Sequence, residues 1–238
     1  MTSDDHTDTD TRWHPAADAD AVRETACRQV LDAADEALRE RDRFAIVLAG
    51  GSTPRGVYRM LRGADTDWSK WHVYFGDERC LPPRDPERNS TMAAEAWLDH
   101  VTIPDGQVHV IPAELGPDAA ASAYADQLQD VDEFDLVLLG LGEDGHTASL
   151  FPGHDPGRAA GSPDAIPVFD APKPPPQRVS LSAQRLGRSR AVLFLVTGEG
   201  KRDALGQWRA GASIPAREIR PASGVDVLVE SILLPEKP

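Results

Sequence analysis

The feature that most constrains this chain is a repeated junction in which a short apolar run ends in glycine. Phe44 to Ala49 runs into Gly50-Gly51, Phe134 to Leu139 into Gly140, and Ala191 to Val196 into Thr197-Gly198. Unbroken apolar runs of this length read as strands buried on both faces, which is the pattern of a parallel sheet. Between them lie segments with helical spacing. Residues 18–41 place Val22, Ala26, Val30, Ala33 and Ala37 on one stripe, and residues 55–61, 90–99, 117–129 and 201–208 read as further helices. Trp71 to Phe75, Val108 to Ile111, Arg178 to Ser182 and Val225 to Val229 complete the predicted strands. Alternating strands and helices predict an α/β fold, a doubly wound, mostly parallel, Rossmann-like sheet with helices on both faces. One domain over 13–238 is expected, preceded by an acidic, disordered tail over 1–12 that holds Asp4, Asp5, Asp8 and Asp10.

Composition narrows the function classes. The formal net charge is −14, so nucleic acid and anionic membranes are poor partners. The apolar runs are too short to span a bilayer, and the N-terminus is too acidic for a signal peptide. Cys27 and Cys80 alone can form neither a disulfide framework nor a zinc site. A cytoplasmic enzyme or binding protein is expected, of open oligomeric state.

Three junctions carry candidate chemistry. Gly50, Gly51, Ser52 and Thr53 stand between a strand and a helix, with Pro54 at the expected first helical position. Free amides and two hydroxyls at a helix start form an anion cradle suited to phosphate; the bland alternative is a tight, capped turn. No Gly-Lys-Ser/Thr follows, so this is not a Walker loop, and no Gly-x-Ser-x-Gly elbow is present. The second junction is Gly76-Asp77-Glu78-Arg79, whose three charges at a strand end must be solvated or used.

The third is Gly140-Leu-Gly-Glu-Asp-Gly-His146, which spells Gly-x-Gly-x-x-Gly literally. A dinucleotide fingerprint belongs in a first βαβ unit, whereas this one follows several strands and precedes a proline-rich stretch. His146 beside Asp144 is therefore the candidate for acid–base work. If the strand ends share an edge, they gather a phosphate cradle, Asp77 and Arg79, Asp144 and His146, and Lys201. The edge that Arg178 faces is not derivable from its position. Residues 153–177 read as a lid or a surface excursion. His154 lies eight residues beyond His146, but no metal-ligand spacing supports a metal site, so no metal is assigned.

Taken together, Gly-Gly-Ser-Thr-Pro at 50–54, Asp-Glu-Arg at 77–79, Gly-x-Gly-x-Asp-Gly-His at 140–146 followed by Ala-Ser-Leu-Phe-Pro, and Gly198-x-x-Lys201 resemble the 6-phosphogluconolactonases. These belong with the glucosamine-6-phosphate isomerases, and the resemblance covers roughly residues 13–230. It implies the sugar-phosphate isomerase/deaminase type of fold. It also implies hydrolysis of 6-phospho-D-glucono-1,5-lactone in the oxidative pentose phosphate pathway, without metal or organic cofactor. His146 then activates water, Arg79 orients substrate or stabilises the oxyanion, and Asp144 and Asp77 orient neighbouring groups. Gly50 to Thr53, Arg178 and Lys201 hold the phosphate. Two rivals remain: a glucosamine-6-phosphate deaminase, and a non-catalytic sugar-phosphate sensor. The deaminases carry an acid where this chain has Phe151, and they lack the arginine that is here Arg79.

Overall fold

The computed structural model describes residues 10–235. Strand β1 (Thr11–Ala16) is followed by α1 (Ala19–Arg41), β2 (Phe44–Leu48), α2 (Ser52–Leu61), β3 (Trp71–Phe75), β4 (Asp77–Arg79), α3 (Asn89–Ala96), β5 (Val108–His109) and α4 (Pro117–Gln127). Then come β6 (Phe134–Gly140), β7 (Ala165–Val168), β8 (Arg178–Leu181), α5 (Ala183–Gly187), β9 (Ser189–Val196), α6 (Arg202–Arg209) and β10 (Val225–Glu230).

Seven strands form one sheet in the order β1-β10-β9-β6-β2-β3-β5, and every pairing in it is parallel. The chain travels outward from β2 through β3 to β5, then returns to place β6 on the other side of β2. The carboxyl ends of β2 and β6 therefore flank the point where the winding reverses, where open sheets form a crevice.

Both faces of the sheet are covered. Trp71 and Tyr74 lie three positions apart on β3 and so face opposite sides. Trp71 meets Phe44 and Trp97, and Trp97 stacks on Tyr58 of α2. Tyr74 meets Phe134, which lies under the guanidinium of Arg185 from α5 at 3.9 Å. Helix α1 opens on Asp18, whose carboxylate accepts from the Ala21 amide, and closes at Asp42 in the left-handed region (φ 54°). It buries Val22, Ala26, Val30, Ala34 and Ala37, close to the predicted stripe.

Several elements differ from expectation. Thr11 and Arg12, assigned to the tail, pair with Val225 and Asp226 in β1; residues 1–9 of that tail lie outside the described residues. Strand β1 is an edge, where proline is tolerated, and Trp13 packs edge-on against Trp208. The segment 153–177, expected to be loop-like, contributes β7. Strands β4, β8 and β7 form a second, antiparallel sheet of three strands. Helix α2 begins at Ser52, two residues before the expected first position at Pro54, with Gly51 (φ +106°) before it. Proline is tolerated anywhere in a first turn, whose N–H groups have no acceptor within the helix. Helix α3 ends at Ala96, three residues early, and β5 spans two residues of the predicted four.

Candidate active site

A cavity of about 450 Å³ opens at the carboxyl ends of β2, β3, β6 and β9. Strand β2 ends under α2, where the Tyr58 hydroxyl accepts from the Ala49 amide at 2.9 Å and donates to its carbonyl at 2.8 Å. That double bond seats Gly50 to Thr53 at the cavity wall, with the first-turn amides of α2 at its positive end. The Thr53 hydroxyl pairs at 2.6 Å with that of Thr197 at the end of β9. Lys201 follows on the next turn and lines the same cavity. Burial pulls its ammonium below its ordinary pKa and nearby Lys173 lowers it further, while Glu143 and Asp144 oppose this. Lys201 has no ion-pair partner among the described residues, so a half-buried cation faces the cavity ready for an anion.

His146 stands on the turn after β6. The turn is closed by the Gly142 amide donating to the His146 carbonyl at 2.7 Å and the Gly145 amide donating to the Gly142 carbonyl at 3.1 Å. The His146 ring packs so closely over Gly142 that a Cβ there would stand 2.0 Å from Nδ1. Nδ1 lies 2.5 Å from the Asp144 carboxylate, which also accepts from the His146 amide at 3.1 Å. Burial raises the Asp144 pKa, but these bonds and the imidazole outweigh it, and the group ends below the usual carboxylate range. An ionised carboxylate only accepts, so Nδ1 carries the proton and Nε2 of the neutral ring keeps a free lone pair. Phe151, 2% exposed, packs its ring 4.8 Å from the imidazole.

Opposite the turn, β4 carries Asp77 and Arg79. Asp77 is buried and accepts from Asn89 Nδ2 at 3.0 Å and from the Ser149 hydroxyl at 2.5 Å. It thereby ties the arginine strand to the histidine turn. Glu78, fully buried, accepts from the Asn89 and Ser90 amides at 2.7 and 2.8 Å and from the Arg79 amide at 2.9 Å. Glu78 therefore caps α3, and the Asn89 side chain goes to Asp77. Arg79 lines the cavity and donates to the Glu87 carbonyl. Arg178 sits directly across from it in the register of β4 and β8. Its guanidinium stacks 5.6 Å from the Phe151 ring and donates to the carbonyls of Lys173 and Pro175 at 2.9 and 3.1 Å. Burial pulls the Arg178 pKa below its ordinary value, chiefly against the pull of Asp77.

A family profile described as Glucosamine-6-phosphate isomerases/6-phosphogluconolactonase matches residues 17–228. The chain belongs to that family. Among its members, the 6-phosphogluconolactonase of Mycobacterium leprae is 40% identical over 217 residues, covering 84% of this chain and 87% of that protein. The 6-phosphogluconolactonase of Streptomyces coelicolor is 38% identical over 213 residues, covering 82% and 81%. The crystal structure of 6-phosphogluconolactonase from Thermotoga maritima superposes with a TM-score of 0.85 at 28% identity, covering 93% of this chain and all of that one.

Within the family fold, the cavity gathers Gly50, Gly51, Ser52, Thr53, Asp77, Arg79, His146, Arg178 and Lys201, and Asp144 stands behind His146. Sequence reading missed Asn89, Ser149, Lys173 and Thr197. All are polar, and each has a contact distant in sequence; Lys173 alone also had a local signal, its position before three prolines. Gly142 makes room for the His146 ring. Among the described residues, no three His, Cys, Asp or Glu side chains are grouped to hold a metal ion. No helix there is long and apolar enough to cross a membrane.

Proposed function

We propose that this chain hydrolyses 6-phospho-D-glucono-1,5-lactone to 6-phospho-D-gluconate, a step of the oxidative pentose phosphate pathway, in the cytoplasm. The observation that carries the reading is His146, held by Asp144 in the tautomer that leaves Nε2 free, in one cavity with Arg79 and an anion-binding end. Four cations, Arg79, Lys173, Arg178 and Lys201, line that cavity in a chain of net charge −14. A positive pocket on a negative protein selects a small anion from solution.

In the proposed reaction the phosphate sits against Gly50 to Thr53 and Lys201. A water donates its proton to His146 Nε2 as its oxygen bonds to the lactone carbonyl carbon C1. Arg79 faces the oxyanion, and the Asp144 carboxylate stabilises the imidazolium. Collapse of the tetrahedral species breaks the bond from C1 to the ring oxygen, which takes the proton back from His146. A positioned base contributes about 10²- to 10⁴-fold, and a lactone is an activated ester, so no covalent nucleophile is required. Arg178 serves chiefly to hold the turn of Lys173 to Pro175, and Asp77 orients β4 against the histidine turn.

A deaminase needs an acid where buried Phe151 stands, and an apolar ring against His146 cannot supply one. The test is a coupled assay with freshly generated lactone, corrected for spontaneous hydrolysis, beside glucosamine-6-phosphate. Enzyme-dependent lactone loss without ammonia release is expected. Ammonia release from glucosamine-6-phosphate would overturn the reading, and binding of both without turnover would favour a sensor.

A further inference from the structure

At the rim of the cavity, three charges from three segments face one another. Lys173 comes from the turn between β7 and β8, and its backbone is fixed because Arg178 donates to its carbonyl. Glu143 comes from the histidine turn, and its carboxylate lies 3.4 Å from the Lys173 ammonium. Lys201 comes from the junction after β9. Glu143 also reaches this junction, since a Cβ on Gly200 would stand 3.2 Å from its Oε1. Both lysines line the cavity, whereas Glu143 stands just outside it. Lys201 senses both neighbours, for Lys173 lowers and Glu143 raises its affinity for its proton, below the larger effect of burial.

We propose that Glu143 is an internal counter-ion that the substrate's phosphate replaces, and that Lys173 is thereby released to join Lys201 at the phosphate. The inference rests on the reading above and adds a residue pair that sets affinity for the phosphorylated end. The exchange is cheap, because the side chains of Lys173 and Glu143 are 58% and 60% exposed, and pairs in that setting are weak. It is also directional. A phosphate dianion carries more charge than a carboxylate and can accept from two ammonium groups and the α2 amides together. With the site empty, Glu143 pairs with Lys173 and offsets the repulsion between Lys173 and Lys201. With phosphate bound, Glu143 is a like charge at its edge and weakens binding, which favours product release.

The test compares the parent with Glu143→Gln, Lys173→Gln and the double variant, by calorimetric titration of 6-phosphogluconate and of inorganic phosphate and by lactone kinetics. Glu143→Gln is expected to bind both anions about two- to five-fold more tightly, as removal of one exposed charge allows. Its KM falls to match while kcat stays within about two-fold of the parent. Lys173→Gln weakens binding by a similar factor, and in that background the Glu143→Gln gain shrinks. The gain also narrows as salt is raised. Unchanged or weaker anion binding by Glu143→Gln, or full additivity of the two substitutions, would overturn the proposal. Tighter phosphate binding without any lactone turnover would keep the counter-ion and overturn the assigned reaction instead.

Discussion

Gly142 offers a perturbation whose size can be worked from the geometry. Alanine there brings a Cβ within 2.0 Å of His146 Nδ1 and 2.3 Å of Cε1. Ordinary contact begins near 3.4 Å, so the ring must retreat by roughly 1.4 Å. The backbone itself objects little, because the left-handed angles at Gly51 and Gly145 are not shared by Gly142. The strain falls on the imidazole and on its 2.5 Å bond to Asp144. A displacement of about 1 Å at a reacting group is enough to cost about 10²-fold, so kcat is expected to fall by about that factor. The phosphate end is untouched, so KM and affinity for 6-phosphogluconate should change less than about three-fold. The assay is steady-state lactone hydrolysis, with thermal unfolding as the check on folding. Gly206→Ala in α6 is the control: the same methyl meets nothing within 4 Å. It should raise stability by about 0.5–1 kcal/mol and leave turnover alone. A Gly142→Ala enzyme with parental kcat would refute the claim that this glycine exists to seat the histidine.

Two further predictions concern stability. Glu78→Gln replaces a fully buried carboxylate that accepts from three amides and pairs with buried Arg88 at 3.4 Å; urea unfolding should show a loss of about 3–5 kcal/mol, and a loss below about 1 kcal/mol would contradict the capping role. On the sheet face away from Trp71, His109 stacks on Tyr74 and its pKa is pushed down to about 4, by burial first and then by His72 and Arg43. Its folded pKa lies below its unfolded one. The neutral ring's contribution is therefore complete above about pH 6.5, falls as the unfolded chain takes up the proton, and is lost as pH drops through about 4. His109→Gln should flatten the melting temperature of the parent across that window relative to neutral pH; an unchanged slope would contradict the assignment.

Much of the architecture was legible because the central strands announce themselves. Phe44 to Leu48 is buried at every position, and so is Phe134 to Leu139, which gives the unbroken apolar pattern of a two-sided parallel sheet. The elements that escaped lack that pattern. Strand β1 carries Arg12, His14 and Pro15 on an edge, and β4 is Asp-Glu-Arg, a composition that reads as a loop until the fold supplies partners. The antiparallel pairing of Arg79 with Arg178 spans about a hundred residues and leaves no local trace. The candidate site divides the same way. Glycine turns and the Asp-Gly-His run mark it locally, whereas Asn89, Ser149 and Thr197 are placed by hydrogen bonds to Asp77 and Thr53. The charges at 77–79 have different surroundings: Asp77 ties β4 to the histidine turn, Glu78 caps α3, and Arg79 lines the cavity.

The central claim is that His146 is the base that activates water, and a single comparison tests it most directly. Lactone hydrolysis by His146→Gln should be measured beside its affinity for 6-phosphogluconate. A fall in kcat of about 10²- to 10⁴-fold, with that affinity within about three-fold of the parent, is the predicted result. Turnover close to that of the parent would contradict it.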